Sequence, residues 1–257
     1  MSDGWYPAAI KRPILADNFG VGRNGQTVQA IVMHIASGRL AGVFPTFNTP
    51  GIQVSAHFCI AQDGTVEQYV SVDDTAFANG LGWQAERNQW LNPRGKIVTP
   101  SWQYLIPQTN PNSYTVSIEH EGWAQDKWTD AMYMANHRLL LWLAEKFNLT
   151  ITPRRTLIGH NEIDPIDKPN CPGPNVEFER IAQDITVTIA ARKFTWMPIN
   201  TLAALYRFAQ LNSLGYPQTD EFEFTSSSNT YVAQVFNLGI VFVKKGDWGN
   251  VRWMRKI

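Results

Sequence analysis

The sequence predicts a mixed α/β fold, a central β-sheet flanked by helices, with a small module after it. Three observations carry that expectation. Short apolar runs alternate with segments of helical spacing as far as about Ile189. An Asp-Gly pair, Asp63-Gly64, sits between two β-prone runs and marks a hairpin. After Lys193 the pattern changes to a short helical run and Gly-punctuated apolar stretches. We therefore expect one domain over residues 1–193 and a β-rich or mixed module over residues 194–257. The sheet is expected to be built mostly of hairpins, with the functional site in a cleft at one end.

Taken in order, residues 30–36 read Ala-Ile-Val-Met-His-Ile-Ala, a buried central strand with His34 as its only ionisable member. Residues 55–70 form the hairpin and place His57 on its first strand. Residues 79–111 are rich in Gly, Pro, Asn and Trp and lack periodicity, so this long loop is expected to wall the cleft. Residues 114–121 alternate: Tyr114, Val116, Ile118 and His120 share one face, and Thr115, Ser117, Glu119 and Glu121 share the other. Thr129 can cap a helix running to about Asn148, with Met132, Leu139, Leu140, Leu143 and Phe147 at helical spacing. A second helix is expected from Val176.

Composition narrows the classes. Apolar residues make up 44% of the chain and charged residues 17%, and 22 acidic side chains balance 22 basic ones. That balance argues against a nucleic-acid partner, which calls for a basic excess. No apolar stretch is long enough to span a membrane, so no membrane insertion is expected. Met1–Lys11 has no basic start followed by an apolar run, so a signal peptide is not expected either. The two cysteines, Cys59 and Cys171, cannot form a disulfide framework. Ten Trp among 13 Phe and 8 Tyr is a high count, and Trp83, Trp90 and Trp102 are candidates for stacking on sugar rings.

The most informative stretch, Ile158–Gly173, is a Pro-rich loop after a short β-prone run and holds His160 and Cys171. A zinc site that does chemistry takes three protein ligands and leaves a position open, and two imidazoles with a thiolate suit that metal. His34 can supply the third donor. Each of these residues alone also reads as an ordinary buried side chain. Four blocks change the balance: Ile31-Val-Met-His34, Ser55-Ala-His-Phe-Cys-Ile-Ala-Gln-Asp-Gly-Thr-Val66, Thr115-Val-Ser-Ile-Glu-His-Glu-Gly122, and Gly159-His160 through Lys168-Pro-Asn-Cys-Pro-Gly173. In this order they resemble the type 2 N-acetylmuramoyl-L-alanine amidases, a family that includes phage amidases and is related to peptidoglycan recognition proteins.

The resemblance implies one Zn2+ per chain held by His34, His160 and Cys171, with Glu119 as catalytic base and Lys168 as oxyanion partner. It implies bacterial peptidoglycan as substrate, cut between N-acetylmuramic acid and L-alanine. Two departures bear on it. Two residues separate Lys168 from Cys171 where the phage enzymes usually have one, and Ala56 stands where some of them carry a catalytic Tyr. His57, beside Ala56, is expected to contact substrate. Glu162, Asp164 and Asp167 are candidates to orient a ligand histidine. The alternative is a recognition protein that binds the wall without cutting, but such relatives usually lack one of the ligands, and all three are present. Leu214-Gly-Tyr-Pro-Gln-Thr-Asp-Glu221 with Phe236–Phe242 resembles one LGFP-type repeat, which implies wall binding by the C-terminal module. The economical biology is a monomeric phage endolysin, made in the cytoplasm and released at host-cell lysis.

Overall fold

The computed structural model describes residues 4–194 and 200–256. The chain divides into two compact units, Met1–Ala190 and Ala191–Ile257. The first unit opens with β1 (Ile10–Lys11) and β2 (Phe19–Gly20) and enters its core at β3 (Ala30–Ile35). Helix α1 (Leu40–Phe47) leads to β4 (Phe58–Ile60) and β5 (Val66–Gln68), and β6 (Thr75–Ala76) pairs back onto β2. The aperiodic loop carries a small antiparallel sheet of β7 (Gly82–Gln84), β8 (Gln89–Leu91) and β9 (Ile97–Val98). Then come β10 (Thr115–His120), α2 (Asp130–Phe147), β11 (Leu157–Gly159), α3 (His160–Ile163) and α4 (Phe178–Phe194).

The main sheet has the order β1-β5-β4-β10-β3-β11. Its hairpin, β4–β5, is the one antiparallel pairing; the other four are parallel. The hairpin-rich sheet expected from sequence is therefore corrected to a mostly parallel one. The cause is burial on both faces: Ala30, Ile31, Val32 and Met33 are all fully enclosed, and long connections carry the chain over the sheet between β3, β10 and β11. On one face Ile31, Met33, Val116 and Ile118 pack with Met132, Leu139, Leu140 and Leu143 of α2 and with Ile181 and Ile185 of α4. On the other, Ala30, Val32 and Ile158 meet Trp102 and Tyr114.

Local rules explain the ends of α2. Thr129 Oγ1 accepts from Met132 N at 3.1 Å, and Asn148 closes the helix in the left-handed region at φ 51°. Gly64, at φ +87°, lets the β4–β5 turn lie against that helix, since a Cβ there would stand 2.9 Å from Ala131 O.

The tryptophans of the long loop do not all line a cleft. Trp102 is buried and its Nε1 donates to Arg155 O at 3.0 Å, while Trp83 and Trp90 pack edge to face on each other at 4.9 Å. Burial of these rings gives the loop its own small core.

In the second unit α5 (Ala204–Leu211) packs Leu205 and Ala209 on Val232, Val241 and Val243. The sheet beneath is an antiparallel meander of β12 (Phe222–Ser226), β13 (Asn229–Val235), β14 (Gly239–Lys244) and β15 (Arg252–Arg255). No helix among the described residues is long and apolar enough to cross a membrane.

Candidate active site

The site lies at the carboxyl ends of β3, β10 and β11, three adjacent parallel strands. The register sets His34 directly opposite Glu119, and Gly159, which pairs with Met33, hands the chain to His160 at the first position of α3. Alternation explains the orientation: Val116 and Ile118 face the helices, so Ser117 and Glu119 face the site. Cys171 returns on the following loop, where Asn161 N donates to Cys171 O at 2.9 Å and Ile35 N donates to its Sγ at 3.4 Å.

His34, His160 and Cys171 are all buried, and their donor atoms lie within 4.8 Å of one another. His34 Nδ1 is 4.0 Å from Cys171 Sγ, and the two imidazoles meet edge to face at 4.4 Å. Burial pushes both ring pKa values down, that of His160 to about 3 and that of His34 well below the ordinary histidine value, so both rings are neutral at physiological pH. Burial likewise pushes the Cys171 thiol up to about 12. Two neutral imidazoles and a sulfur, enclosed and converging, fit a zinc ion, and His34 Nε2 has no close hydrogen-bond partner.

Glu119 joins this cluster from β10. Burial raises its carboxyl to about 7, against a lowering by Lys168, and its Oε2 is enclosed without a partner. It lines a cavity of about 230 Å³ with Ser37, Gly38, Arg39 and Phe47. Lys168 is exposed at the rim of a second cavity of about 550 Å³ that also takes in His160, Asp164 and Arg94. Its positive charge acts on Glu119, His34, His160 and Cys171 alike, so it stands near all four despite its shifted spacing. The ends of the long loop, Gly80, Pro93 and Asn110, wall this second cavity.

His57 is placed elsewhere. Its ring is wholly buried: Nδ1 accepts from Ser117 N at 3.1 Å, and Nε2 lies 3.1 Å from the guanidinium of Arg23 and 3.2 Å from Asp74 O. The expected contact with substrate is corrected to a structural role, because both ring nitrogens are committed inside the fold. Ala56 is buried with Val43, Phe47 and Tyr69, and no tyrosine lines either cavity. The three acids of the ligand loop hold the loop itself instead of a histidine. Glu162 accepts from Gly159 N, Asp164 accepts from Ile166 N and Asp167 N, and Asp167 pairs with Lys96 at 2.7 Å. Asn79, to which no role falls from sequence, lies between β10 and His34.

Comparison with known proteins follows this geometry. Residues 24–174, more than half of the chain and all of the site, match the model of the Amidase_2 family, N-acetylmuramoyl-L-alanine amidase. N-acetylmuramoyl-L-alanine amidase A of Achromobacter lyticus is 33% identical over 137 residues, covering 52% of this chain and 60% of that protein. The chain thus spans less than two thirds of that relative's length. A crystal structure of a selenomethionine AmpD derivative aligns over 72% of this chain and 98% of its own with a TM-score of 0.50 at 20% identity, a likeness of fold. On the family match over the residues that build the site, the chain belongs to the N-acetylmuramoyl-L-alanine amidase family.

Proposed function

We propose that this protein is a zinc-dependent peptidoglycan hydrolase that cleaves the amide between N-acetylmuramic acid and L-alanine. The observation that carries the reading is the convergence of His34, His160 and Cys171 beside Glu119. When bound, zinc would lower the pKa of water to roughly 7 and polarise the scissile carbonyl. Glu119 Oε2 takes the proton of the attacking water and delivers it to the departing alanine nitrogen as the C–N bond breaks. Lys168 donates to the carbonyl oxygen as negative charge gathers there. The products are a lactyl carboxylate on the glycan and a stem peptide with a free L-alanine amine.

The C-terminal unit supports a second element of the reading, attachment to the wall. One face of its sheet is packed on α5, and the other presents Phe222, Phe224, Tyr231 and Phe242 around a concavity of about 630 Å³ rimmed by Lys244, Asp247, Asn250 and Arg252. Rings interleaved with hydrogen-bonding groups suit a glycan strand. This face, more than the LGFP-type resemblance, supports wall binding. A phage endolysin acting after host-cell lysis accords with both elements.

The test is mass spectrometry of fragments released from purified peptidoglycan with and without a zinc chelator. Chelator-sensitive release of peptides that begin with a free L-alanine, the glycan chains staying intact, is the expected result. Absence of cleavage by zinc-loaded protein would sink the reading and favour a binding protein.

A further inference from the structure

Two enclosed polar atoms beside the ligand cluster lack a close hydrogen-bond partner, His34 Nε2 and Asn79 Oδ1. They belong to neighbouring side chains, since hydrogen bonding by Asn79 is what favours a proton on the His34 ring against burial. The orientation of the Asn79 amide follows from its other contacts. Thr115 Oγ1 donates its one proton to Pro111 O at 2.8 Å, so towards Asn79 it can only accept. Asn79 Nδ2 must therefore be the atom 3.0 Å from Thr115 Oγ1 and 2.9 Å from Ser117 Oγ, which turns Oδ1 away from β10. The backbone is held as well, Asn79 N donating to Asn112 Oδ1 at 2.6 Å. On the histidine, Nδ1 is the nitrogen beside Cys171 Sγ.

We infer that Asn79 is a positioning residue whose Oδ1 accepts the Nε2 proton of His34 and so holds the imidazole in the tautomer that turns its Nδ1 lone pair to the metal. The inference rests on the zinc reading of the cluster. A ligand imidazole needs an acceptor on its far nitrogen to fix ring orientation and tautomer. The acids near the other ligands do not serve His34; they brace the loop. An amide in this place supplies the acceptor without adding charge to a pocket that already holds Glu119 and Cys171.

Zinc affinity of the full chain, measured by chelator competition, separates the possibilities. Asn79→Leu keeps the side-chain volume and removes the acceptor; Asn79→Asp keeps the acceptor and loses the donor to Thr115 and Ser117. We expect Asn79→Leu to weaken zinc binding by about 10- to 100-fold, and Asn79→Asp to bind at least nearly as well as the unmutated protein. Unchanged affinity in Asn79→Leu, or an equal loss in both variants, overturns the proposal, the latter because it assigns Asn79 to bracing β10. Imidazole 15N NMR of the unmutated metal-free protein tests the same contact without any variant. A His34 protonated at Nε2 is expected, and protonation at Nδ1 overturns it. Failure of the unmutated protein to take up zinc would instead strike the functional reading, with the tautomer still deciding the role of Asn79.

Discussion

Glu119 sits where a carboxylate is least comfortable, enclosed on β10 with Lys168 as its only recorded compensating charge. Its raised pKa has a definite sign. Below about 7 in the metal-free protein the carboxyl holds its proton and cannot accept another. Activity should therefore fall as pH drops, with a midpoint at or below 7, because a bound cation can only pull it lower; an acid limb centred well above 7 would contradict this assignment. Glu119→Gln keeps the shape and removes the base, so turnover should fall by about 10²- to 10⁴-fold while zinc content stays constant. Retained turnover would exclude Glu119 as the proton carrier. Lys168→Met should cost about 100-fold in turnover with zinc still bound, if the ammonium meets the developing oxyanion. A surface lysine would lose nothing, and fragment release measured beside zinc analysis distinguishes the two.

Elements place these residues, and the ligand loop is the most tightly constrained of them. Gly173 follows Cys171 at φ +120°, and a Cβ there would lie 2.2 Å from Ala124 O. Gly173→Ala combines a backbone conformation that L-residues avoid with a backbone collision, so it should destabilise the protein by more than about 1 kcal/mol and loosen zinc through Cys171. Denaturant titration with and without zinc measures both effects; a variant as stable as its parent would show that the loop can shift. The interior of this architecture was legible in the sequence. β3 reads as an apolar run, β10 announces its two faces by alternation, and α2 carries both its cap and its stripe. The ligand set was legible as well, because His34, His160 and Cys171 sit in blocks of recognisable spacing. Parallel pairing was not, since a short buried strand reads alike in either direction and the Asp-Gly turn drew attention to the one real hairpin. Asn79 and the burial of His57 were hidden for a different reason. Their meaning comes from contacts with Ser117, Thr115 and Arg23, all at least 34 residues away in the chain.

At the scale of the molecule, four buried histidines make the metal-free protein acid-sensitive. Burial lowers His34 and His57 well below the ordinary value, His120 to about 4 and His160 to about 3, so all four stay neutral in the fold while the unfolded chain protonates near 6.5. Their contribution to stability is present above 6.5 and is lost as pH falls below it. Glu119, raised to about 7, works in the opposite sense, its contribution being present at acid pH and lost towards neutrality. Between pH 7.5 and 5.5 the histidines give up roughly 5 kcal/mol and Glu119 returns roughly 2, on the order of 1.4 kcal/mol per group and pH unit. The histidines win, so the melting temperature of chelator-treated protein should be lower at pH 5.5 than at 7.5, and an equal or higher value would refute the balance. The second unit adds a separate expectation. Phe222 and Phe224 are exposed on a sheet whose opposite face already has its core, so these rings are not needed to fold it. If they stack on glycan, the Phe224→Ser/Tyr231→Ser double variant of the full chain should co-sediment less with insoluble peptidoglycan. It should still cleave soluble wall fragments at the parental rate, because the zinc ligands, Glu119 and Lys168 all lie in the first unit. Undiminished sedimentation would assign wall attachment to the cleft and leave the aromatic face without a glycan.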